Sequence, residues 1–280
     1  MRGAWLLLAA ACAPEESSSK ADAAAAPRCN GEVVLCDRPL DEVVFAGSHN
    51  SMSSDERGWL APNHRYAVPT QLEDGVRLLN FDVYEQDGEA VLCHGYCSLG
   101  QLDLVDGLAE VSLFLEENSS EVVIITFEMY ASPHLVESAF EDSGLLERVH
   151  VLESGAMPTL GALVAADERV LVFTSDGGGE PAWYHDMWQW WWDNPYAAER
   201  IEDFSCEPYR GHEGNPFMAI NHFLTAPIGT EALAEQANVR SVLEEHVRAC
   251  MSAAGRKPNQ VLVDFYSVGG LLSVVSALNQ

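Results

Sequence analysis

Short apolar runs rich in Val, Ile, Leu and Phe recur along the chain, with longer helix-like stretches between them. The runs cover 43–46, 78–84, 90–93, 122–127, 170–174, 218–223 and 261–266. Fully apolar runs of this length are typical of parallel strands covered on both faces. The helix-like stretches include 101–117, 134–147 and 231–254. This alternation predicts an α/β fold with a parallel sheet.

Polar side chains that could take part in catalysis or metal binding stand at the carboxyl ends of most of these runs. They are His49, Asn50, Asn80, Asp82, His94, Glu128, Asn221, His222, Asp264 and Tyr266. In a (β/α)₈ barrel the active site lies at the carboxyl ends of the strands. We therefore predict a single-domain, TIM-type barrel. Because only seven runs are visible, we expect one degenerate strand or a distorted barrel.

The first residues have the pattern of an address signal. Arg2 precedes an apolar stretch over 4–11 and then Cys12, which predicts an export signal over 1–12. The small residues before Cys12 resemble a bacterial lipoprotein box and predict a lipid on that cysteine; ordinary cleavage further along is the alternative. Residues 13–27 are of low complexity and predict a flexible tether. The folded domain is then 28–280.

The charge narrows the range of partners. Fifteen Lys and Arg against 43 Asp and Glu give a formal net charge of −28. Such a chain would be repelled by the phosphates of nucleic acids, and it is unsuited to unassisted docking on anionic membranes. A bound divalent cation would reverse the sign locally.

Six cysteines remain once Cys12 is set aside, and an even number after an export signal indicates disulfides. They are Cys29, Cys36, Cys93, Cys97, Cys206 and Cys250. Their spacing favours pairing each cysteine with its neighbour along the chain. A zinc site on Cys93, His94 and Cys97 is the alternative, but no second CxxC or HxxxH completes a ligand set.

Two histidines follow predicted strands and could act as general base and general acid on opposite sides of a reacting group. His49 lies in GSHNS and His94 in LCHGYC. Asp264 lies in the apolar run VLVDFY, where a buried carboxylate needs a partner, and one use is to orient His49. The alternative for each histidine is that it only completes the hydrogen bonds of its own loop. The alternative for Asp264 is a structural salt bridge or backbone contact.

An all-oxygen metal site is predicted next to the histidines. Asn80 and Asp82 alternate on one strand and so share a face. Together with Asn50 and Glu128 they form a set of ligands that suits Ca²⁺ or Mg²⁺ rather than zinc. The alternative is an ion pair of Asp82 or Glu128 with an arginine such as Arg77.

Five of the seven tryptophans lie in the segment 183–196. This density predicts either a loop that faces lipid or substrate, or an aromatic cluster that caps the barrel. His185 and His222 are possible supporting groups of the site, with a structural role as the simpler interpretation.

Several of these motifs, taken together and in order, resemble one family. FAGSHNSM (45–52), GVRLLNFDVY (75–84), VLCHG (91–95), VVIITFE (122–128), PTL (158–160), RVLVFT (169–174) and VDFY (263–266) are similar to the X domain of phosphatidylinositol-specific phospholipase C and its phosphodiesterase relatives. The resemblance covers roughly 40–270 and implies a distorted TIM barrel that cleaves a phosphodiester. It implies that His49 and His94 are the two catalytic histidines. With the export signal, it suggests a bacterial exported member.

The resemblance also bears on the metal. The metal-free version of the family has Asp after the first histidine and an arginine on the next strand, where this chain has Asn50 and Asp82. The calcium-dependent version fits Asn50, Asp82 and Glu128, but this chain has Asn80 at an acidic position. The basic residues that hold inositol phosphates have no clear match. A D-type phospholipase, a glycerophosphodiesterase and a non-catalytic surface binding protein are the alternative functions.

Overall fold

The computed structural model describes residue 1 and residues 28–280. The predicted signal, the lipid site at Cys12 and the tether fall on residues outside this described part. Within the described part, we find no helix that combines the length and the apolar character needed to cross a membrane.

In the described residues, eleven strands form one sheet. They are β1 (Phe45–Ser48), β2 (Leu78–Gln86), β3 (Glu89–Leu92), β4 (Leu102–Asp103), β5 (Val123–Tyr130), β6 (Val170–Thr174), β7 (Tyr184–Asp186), β8 (Trp191–Asp193), β9 (Arg210–Gly211), β10 (Phe217–Asn221) and β11 (Gln260–Val263). The helices are α1 (Val68–Asp74), α2 (Leu104–Glu117), α3 (Pro133–Asp142), α4 (Leu160–Ala166), α5 (Met187–Trp190), α6 (Glu231–Ala237), α7 (Arg240–Ala254) and α8 (Leu271–Asn279).

Eight of these strands form the barrel. Their order is β7-β6-β5-β2-β1-β11-β10-β8, and every neighbouring pair is parallel. No ladder joins β7 to β8 among the described residues, so the barrel is open at that seam. The prediction of a distorted TIM-type barrel is confirmed.

Two details of the predicted strand count were wrong. The run 90–93 forms β3, which pairs antiparallel with β2 as a hairpin arm and is not a barrel strand. The two strands missing from the prediction are β7 and β8, and both lie in the tryptophan-rich segment. Each is three residues long and is largely aromatic and polar, so neither has the aliphatic pattern of the other strands.

The alternation of side chains along the strands explains how an apolar barrel carries a polar site. At the amino-terminal level, the buried Leu78, Ile124 and Leu262 belong to one apolar cluster with Phe45 and Phe173. Because side chains alternate with a period of two, positions two and four residues further along β2 and β5 point to the same side. The apolar cluster therefore closes the amino-terminal end of the barrel, and polar side chains line its carboxyl end.

Three disulfides fasten the connecting segments. They join Cys29 to Cys36, Cys93 to Cys97 and Cys206 to Cys250, with Cα separations of 5.0, 5.0 and 4.9 Å. The predicted neighbour-to-neighbour pairing is confirmed. The alternative zinc site on Cys93, His94 and Cys97 was wrong for this state of the chain, because both sulfur atoms are bonded to each other.

Candidate active site

A cavity of about 360 Å³ opens at the carboxyl ends of the barrel strands. All seven predicted site residues line it: His49, Asn50, Asn80, Asp82, His94, Glu128 and Asp264. Residues far apart in the sequence are brought together because parallel strands end at the same edge of the sheet.

His49 follows β1 and is oriented by Asp264, which comes directly after β11. The His49 Nδ1 atom lies 2.9 Å from Asp264 Oδ1, which also accepts a hydrogen bond of 2.9 Å from Asn63 Nδ2. The other carboxylate oxygen packs against backbone: a Cβ atom at Gly229 would lie 2.2 Å from Asp264 Oδ2. The carboxylate is therefore fixed on both sides, and it can hold one tautomer of the imidazole.

Two further contacts hold the His49 ring, and a third holds its backbone. The ring stacks on Phe223, with ring centroids 3.9 Å apart, and Asn50 Nδ2 lies 3.2 Å from His49 Nε2. His64 Nε2 lies 2.7 Å from the His49 carbonyl oxygen. Burial lowers the pKa of His49, but Asp264 and the other nearby carboxylates outweigh burial and leave the pKa raised.

His94 reaches the same cavity by a different route. β3 runs back along β2, and the Cys93 N–H donates a 3.3 Å hydrogen bond to the Asp82 carbonyl at the end of this hairpin. The His94 ring is exposed at the cavity mouth, with its centroid 6.5 Å from that of His49. Partial burial and the neighbouring His49 lower the pKa of His94, although Asp264 and Glu128 oppose this shift.

Two carboxylates lie side by side at the bottom of the cavity, which we call the cavity floor. Asp82 on β2 is in register with Glu128 on β5. Burial raises the pKa of Asp82 well above its usual value, and the charge of Glu128 raises it further while His49 opposes the shift. The Oδ1 atoms of Asp82 and Asn50 are both buried, and neither has a hydrogen-bond partner among the described residues. Buried acceptors without donors indicate a site for a positively charged group.

Asn50 and Asn80 form the support of this floor. Asn50 has the left-handed backbone conformation, φ 51°, which asparagine tolerates better than most residues. Its N–H donates to Asn80 Oδ1 at 3.2 Å, and Asn80 Nδ2 lies 3.4 Å from Thr126 Oγ1. Asn80 thus uses its oxygen to hold Asn50. The alternative ion pair with Arg77 was wrong, because Arg77 pairs with Glu121 at 2.8 Å.

The cavity wall contains a guanidinium that the sequence analysis did not single out. Arg210 on β9 forms an ion pair with the buried Asp193 and lies 4.6 Å from the ring centroids of both Trp188 and Tyr196. It is the only Lys or Arg among the described residues that line the cavity. No sequence signal marks it, because β9 is two residues long and follows an irregular segment.

The tryptophan segment is part of the barrel and its wall. Trp183, Trp191 and Trp192 are buried, and Trp188 and Trp190 are half-buried. The packing agrees with the predicted aromatic cluster, because Trp191 packs on Phe217 in the apolar cluster of the barrel, with ring centroids 4.9 Å apart. Trp188 lines the cavity, so this part of the segment faces the candidate site. Contact of the segment with lipid stays a prediction.

His185 and His222 do not line the cavity. His185 Nε2 accepts a 3.1 Å hydrogen bond from the Leu152 N–H, and His222 Nε2 lies 2.9 Å from the Ala237 carbonyl oxygen. Burial lowers the pKa of His222 to about 3, so this imidazole is neutral. The structural interpretation of both histidines holds.

With this geometry established, comparison with known proteins places the chain in a family. The family model PI-PLC X 1 matches residues 35–279. The chain belongs to the PI-PLC X family. The expectation of a bacterial member finds no support among the curated relatives, which come from fungi and plants.

The curated relatives of this family member are similar over most of its length. A PI-PLC X domain-containing protein 1 of Arthroderma benhamiae is 26% identical and covers 90% of this chain and 89% of its own length. An uncharacterized secreted protein of the same fungus is 26% identical over 87% of this chain. A PI-PLC X domain-containing protein of Arabidopsis thaliana is 26% identical over 86% of it. The chain spans 61% and 62% of the length of these last two relatives.

Solved structures agree on the fold. A mutant phosphatidylinositol-specific phospholipase C from Staphylococcus aureus matches with a TM-score of 0.60 and 14% identity, covering 87% of this chain and 94% of its own. A double mutant of the same enzyme gives a TM-score of 0.62 and 11% identity, covering 87% and 93%. This PI-PLC X chain therefore has the phospholipase C barrel architecture.

Proposed function

We propose that this chain is a phosphodiesterase of the phospholipase C type, which cleaves the headgroup diester of a phospholipid with the help of a divalent cation. One observation carries the proposal. His49 and His94 face each other at the mouth of one cavity, above the oxygen atoms of Asn50, Asp82 and Glu128. Membership of the PI-PLC X family supports the same class of reaction.

His49 is the proposed general base. Because a carboxylate only accepts, the Nδ1 proton of a neutral His49 lies toward Asp264, and the lone pair of Nε2 faces the cavity, where Asn50 Nδ2 approaches it. This lone pair can take the proton of an attacking hydroxyl. Asp264 positions His49 and stabilises the imidazolium that results.

His94 is the proposed general acid. It stands opposite His49 at the open side of the cavity, where the departing lipid oxygen would leave. The phosphate charge of a bound substrate raises the pKa of a neighbouring histidine, which offsets the lowering by burial and by His49. Asp82 and Glu128 help to raise the pKa of His49. A positive charge bound beside these carboxylates would offset their effect and lower the pKa of His49, which favours the neutral imidazole that a general base needs.

The residues present fit a hard cation. Asn50 Oδ1 and Asp82 Oδ1 are buried acceptors for which the described part of the chain supplies no donor, and Glu128 adds a second carboxylate beside them. Oxygen donors of this kind suit Ca²⁺, with Mg²⁺ as the alternative ion. A cation held there would neutralise a phosphate oxygen and lower the pKa of the attacking hydroxyl. Asn50, Asp82 and Glu128 form the core of the ligand set. Asn80 Oδ1 accepts one hydrogen bond, from the Asn50 N–H, and its second lone pair leaves it as the fourth predicted ligand.

The cavity favours a headgroup with a single phosphate. Binding several phosphate groups calls for clustered Lys and Arg side chains. Arg210 is the only such side chain among the described residues that line the cavity, and it is already paired with Asp193. Plain phosphatidylinositol is therefore a better candidate than its phosphorylated forms.

We also propose that the chain is exported and acts at a membrane surface. Three disulfides suit an oxidising compartment, and one fungal relative is called secreted. Exposed apolar side chains offer a membrane contact, namely Leu60, Tyr96, Leu99 and Ile228, of which Tyr96 is 75% exposed. Ile228 lines the cavity and Tyr96 directly follows the lining residues His94 and Gly95. Backbone hydrogen bonds join Leu99 to Tyr96 and Leu60 to Leu99, so this group continues from the cavity mouth. A lipid on Cys12 would add an anchor.

The test is hydrolysis of phosphatidylinositol vesicles by the purified chain, in Ca²⁺ and in EDTA, with both products identified. We expect diacylglycerol and an inositol phosphate in Ca²⁺ and at least a hundredfold slower reaction in EDTA. His49→Asn and His94→Asn should abolish turnover in Ca²⁺, whereas Tyr266→Phe, which changes a hydroxyl outside the cavity, should not.

Other outcomes separate the alternatives. A phosphorylated lipid product would replace the proposal with a D-type reaction. Activity that is unchanged in EDTA would remove the cation and leave the histidine pair. Absence of cleavage for phosphatidylinositol, lysophospholipid, sphingomyelin and glycerophosphodiesters, with vesicle binding retained in His94→Asn, would favour a binding protein.

A further inference from the structure

A second cluster of ligating side chains lies outside the catalytic cavity. The disulfide between Cys206 and Cys250 fastens the segment after β8 to α7, and His246 on α7 lies beside it. One ligand atom from each of these three residues lies within 4.8 Å of the other two. Neither the sulfur atoms nor His246 line the cavity of the candidate active site.

His222 and Phe204 complete the surroundings of His246. The His222 and His246 Nδ1 atoms lie 2.8 Å apart, and the ring of Phe204 stacks on both imidazoles at centroid distances of 4.4 and 4.7 Å. His246 is 7% exposed and His222 is fully buried. This is an unusual amount of polar surface to bury against one disulfide, and the proposed phosphodiesterase does not use it.

The hydrogen bonds fix the tautomers of the two neutral rings. A carbonyl oxygen only accepts, so His222 donates its Nε2 proton to the Ala237 carbonyl. His222 Nδ1 is then an acceptor, and the proton between the two rings belongs to His246 Nδ1. His246 Nε2 consequently carries a lone pair. It is buried and forms no close hydrogen bond among the described residues, and the Ser205 backbone lies next to this ring.

We propose that Cys206, Cys250 and His246 form a redox-gated site for a soft divalent metal ion, with zinc as the representative ion. A dithiol reductant gives two electrons and two protons to the disulfide, which becomes two thiols while the reductant becomes a disulfide. Metal binding then releases the two thiol protons. The ligands are two thiolates and His246 Nε2, with water as the fourth.

The three residues already lie together, but the ligand atoms must rearrange. Zinc binds sulfur at about 2.3 Å and nitrogen at about 2.0 Å, so neighbouring ligand atoms in a tetrahedral site are about 3.3–3.8 Å apart. The three ligand atoms lie within 4.8 Å of one another, and the two sulfur atoms, bonded to each other in the disulfide, must move apart on reduction to reach this range. Cys206 is half-buried and gives a reductant a way to the bond, while Cys250 is fully buried.

His222 already supplies the support that such a site needs. A metal-bound histidine usually donates its other ring N–H to a fixed acceptor, which sets its orientation. Here the His246 Nδ1–H is held by His222, which is itself held by the Ala237 carbonyl. The donor set of sulfur and nitrogen also differs from the oxygen set in the cavity, so the two sites select different ions.

The test uses Co²⁺ as the spectroscopic probe. The full chain is reduced with a phosphine, desalted without oxygen and titrated with CoCl₂. We expect one Co²⁺ per chain with thiolate-to-cobalt charge-transfer absorption and the intense visible bands of a tetrahedral site, none of which forms in the oxidised chain. Zn²⁺ should displace the Co²⁺ signal, and excess Ca²⁺ should not.

Variants identify the ligands. Cys206→Ser/Cys250→Ser should lose the signal, whereas Cys93→Ser/Cys97→Ser, a matched removal of another disulfide beside a histidine, should keep it. His246→Gln should weaken Co²⁺ binding at least tenfold. His222→Phe should weaken it by roughly 10–100-fold, because it removes only the support of the ligand.

Two outcomes would overturn the proposal: Co²⁺ uptake by the reduced chain that equals uptake by Cys206→Ser/Cys250→Ser, or unchanged affinity in His246→Gln. Circular dichroism before and after reduction reports whether the fold persists. Expression in a reducing cytoplasm supplies the thiols without chemical reduction, and the purified chain should then contain one zinc that Cys206→Ser/Cys250→Ser lacks. None of these readouts depends on phosphodiesterase activity.

Discussion

At the scale of single residues, the proposed role of Asp264 is to orient His49, and kinetics can separate this role from substrate binding. Asp264 lines the cavity, but its Oδ1 atom is engaged by His49 Nδ1 and Asn63 Nδ2. Asp264→Asn can donate as well as accept, so it permits the wrong tautomer of His49. We expect kcat to fall by roughly 10³–10⁴ with little change in KM.

Steady-state kinetics on phosphatidylinositol vesicles would measure this effect. Tyr266→Phe is the matched control from the same segment, since the Tyr266 hydroxyl bonds to Asp74 outside the cavity. If Asp264→Asn raised KM and left kcat near wild type, Asp264 would belong to substrate binding and the proposed orientation of His49 would fail.

Asn80 stands where the resemblance to a calcium-dependent version of the family implies an acidic residue. Asn80→Asp keeps an oxygen for the Asn50 N–H and adds a negative charge beside Asp82. We expect Ca²⁺ affinity to rise about tenfold, and the free energy of unfolding in EDTA to fall by on the order of 1 kcal/mol because the carboxylates repel.

Calorimetric titration with Ca²⁺ and urea unfolding in EDTA would test both parts of this prediction. Asp82→Asn is the opposite variant: it should lose Ca²⁺ binding and unfold at higher urea in EDTA at neutral pH, since it removes a buried carboxyl whose raised pKa costs folding free energy above its unfolded pKa. Equal affinity in all three proteins would exclude this floor as the cation site.

How far these residues were predictable depends on what surrounds them in the sequence. Asp82, Glu128 and Asp264 were visible because each carboxylate interrupts or ends an apolar run. Asn63 and Phe223 were not, because a polar loop residue and an aromatic residue in an apolar strand have common structural uses. Only the folded chain brings them to Asp264 and His49.

At the scale of elements, the hairpin of β2 and β3 explains why His94 was correctly predicted at the cavity although the reason given was incomplete. His94 was expected at the carboxyl end of a barrel strand, but β3 is antiparallel. The residue reaches the cavity because the hairpin returns to the end of β2. Apolar runs indicate that a segment is a buried strand, but they carry no information on strand direction.

The segment of β7, α5 and β8 contains two barrel strands that were not predicted, because its tryptophans do not form an aliphatic strand pattern. Trp191 is fully buried against Phe173 and Phe217, so Trp191→Ala should lower the free energy of unfolding by about 3–5 kcal/mol. Trp188→Ala removes a half-buried ring of the cavity wall over Arg210 and should cost less than about 1.5 kcal/mol while raising KM.

Urea unfolding and vesicle kinetics on both variants would check this contrast. Neither variant should change vesicle binding measured without turnover, because neither ring is exposed. If Trp188→Ala and Trp191→Ala lost stability equally, or if both lost vesicle binding with stability intact, the segment would be a surface loop after all.

At the scale of the whole molecule, the net charge of −28 opposes the approach of the proposed anionic substrate surface. The repulsion is long-range and is screened by salt: the Debye length falls from about 30 Å at 0.01 M ionic strength to about 8 Å at 0.15 M. The chemistry inside the cavity is buried and is screened much less. Salt should therefore act on the encounter with the membrane and not on the step that follows.

We accordingly expect KM on pure phosphatidylinositol vesicles to fall severalfold between 0.01 and 0.15 M NaCl, with kcat unchanged at saturating Ca²⁺. Diluting the phosphatidylinositol into phosphatidylcholine vesicles should reduce this dependence, because the surface then carries less charge. Since salt also weakens Ca²⁺ binding, vesicle sedimentation in EDTA gives an independent measure of the encounter. A KM that rises with salt would indicate a local basic surface that overrides the net charge, and the exposed apolar side chains beside the cavity would then no longer account for membrane contact.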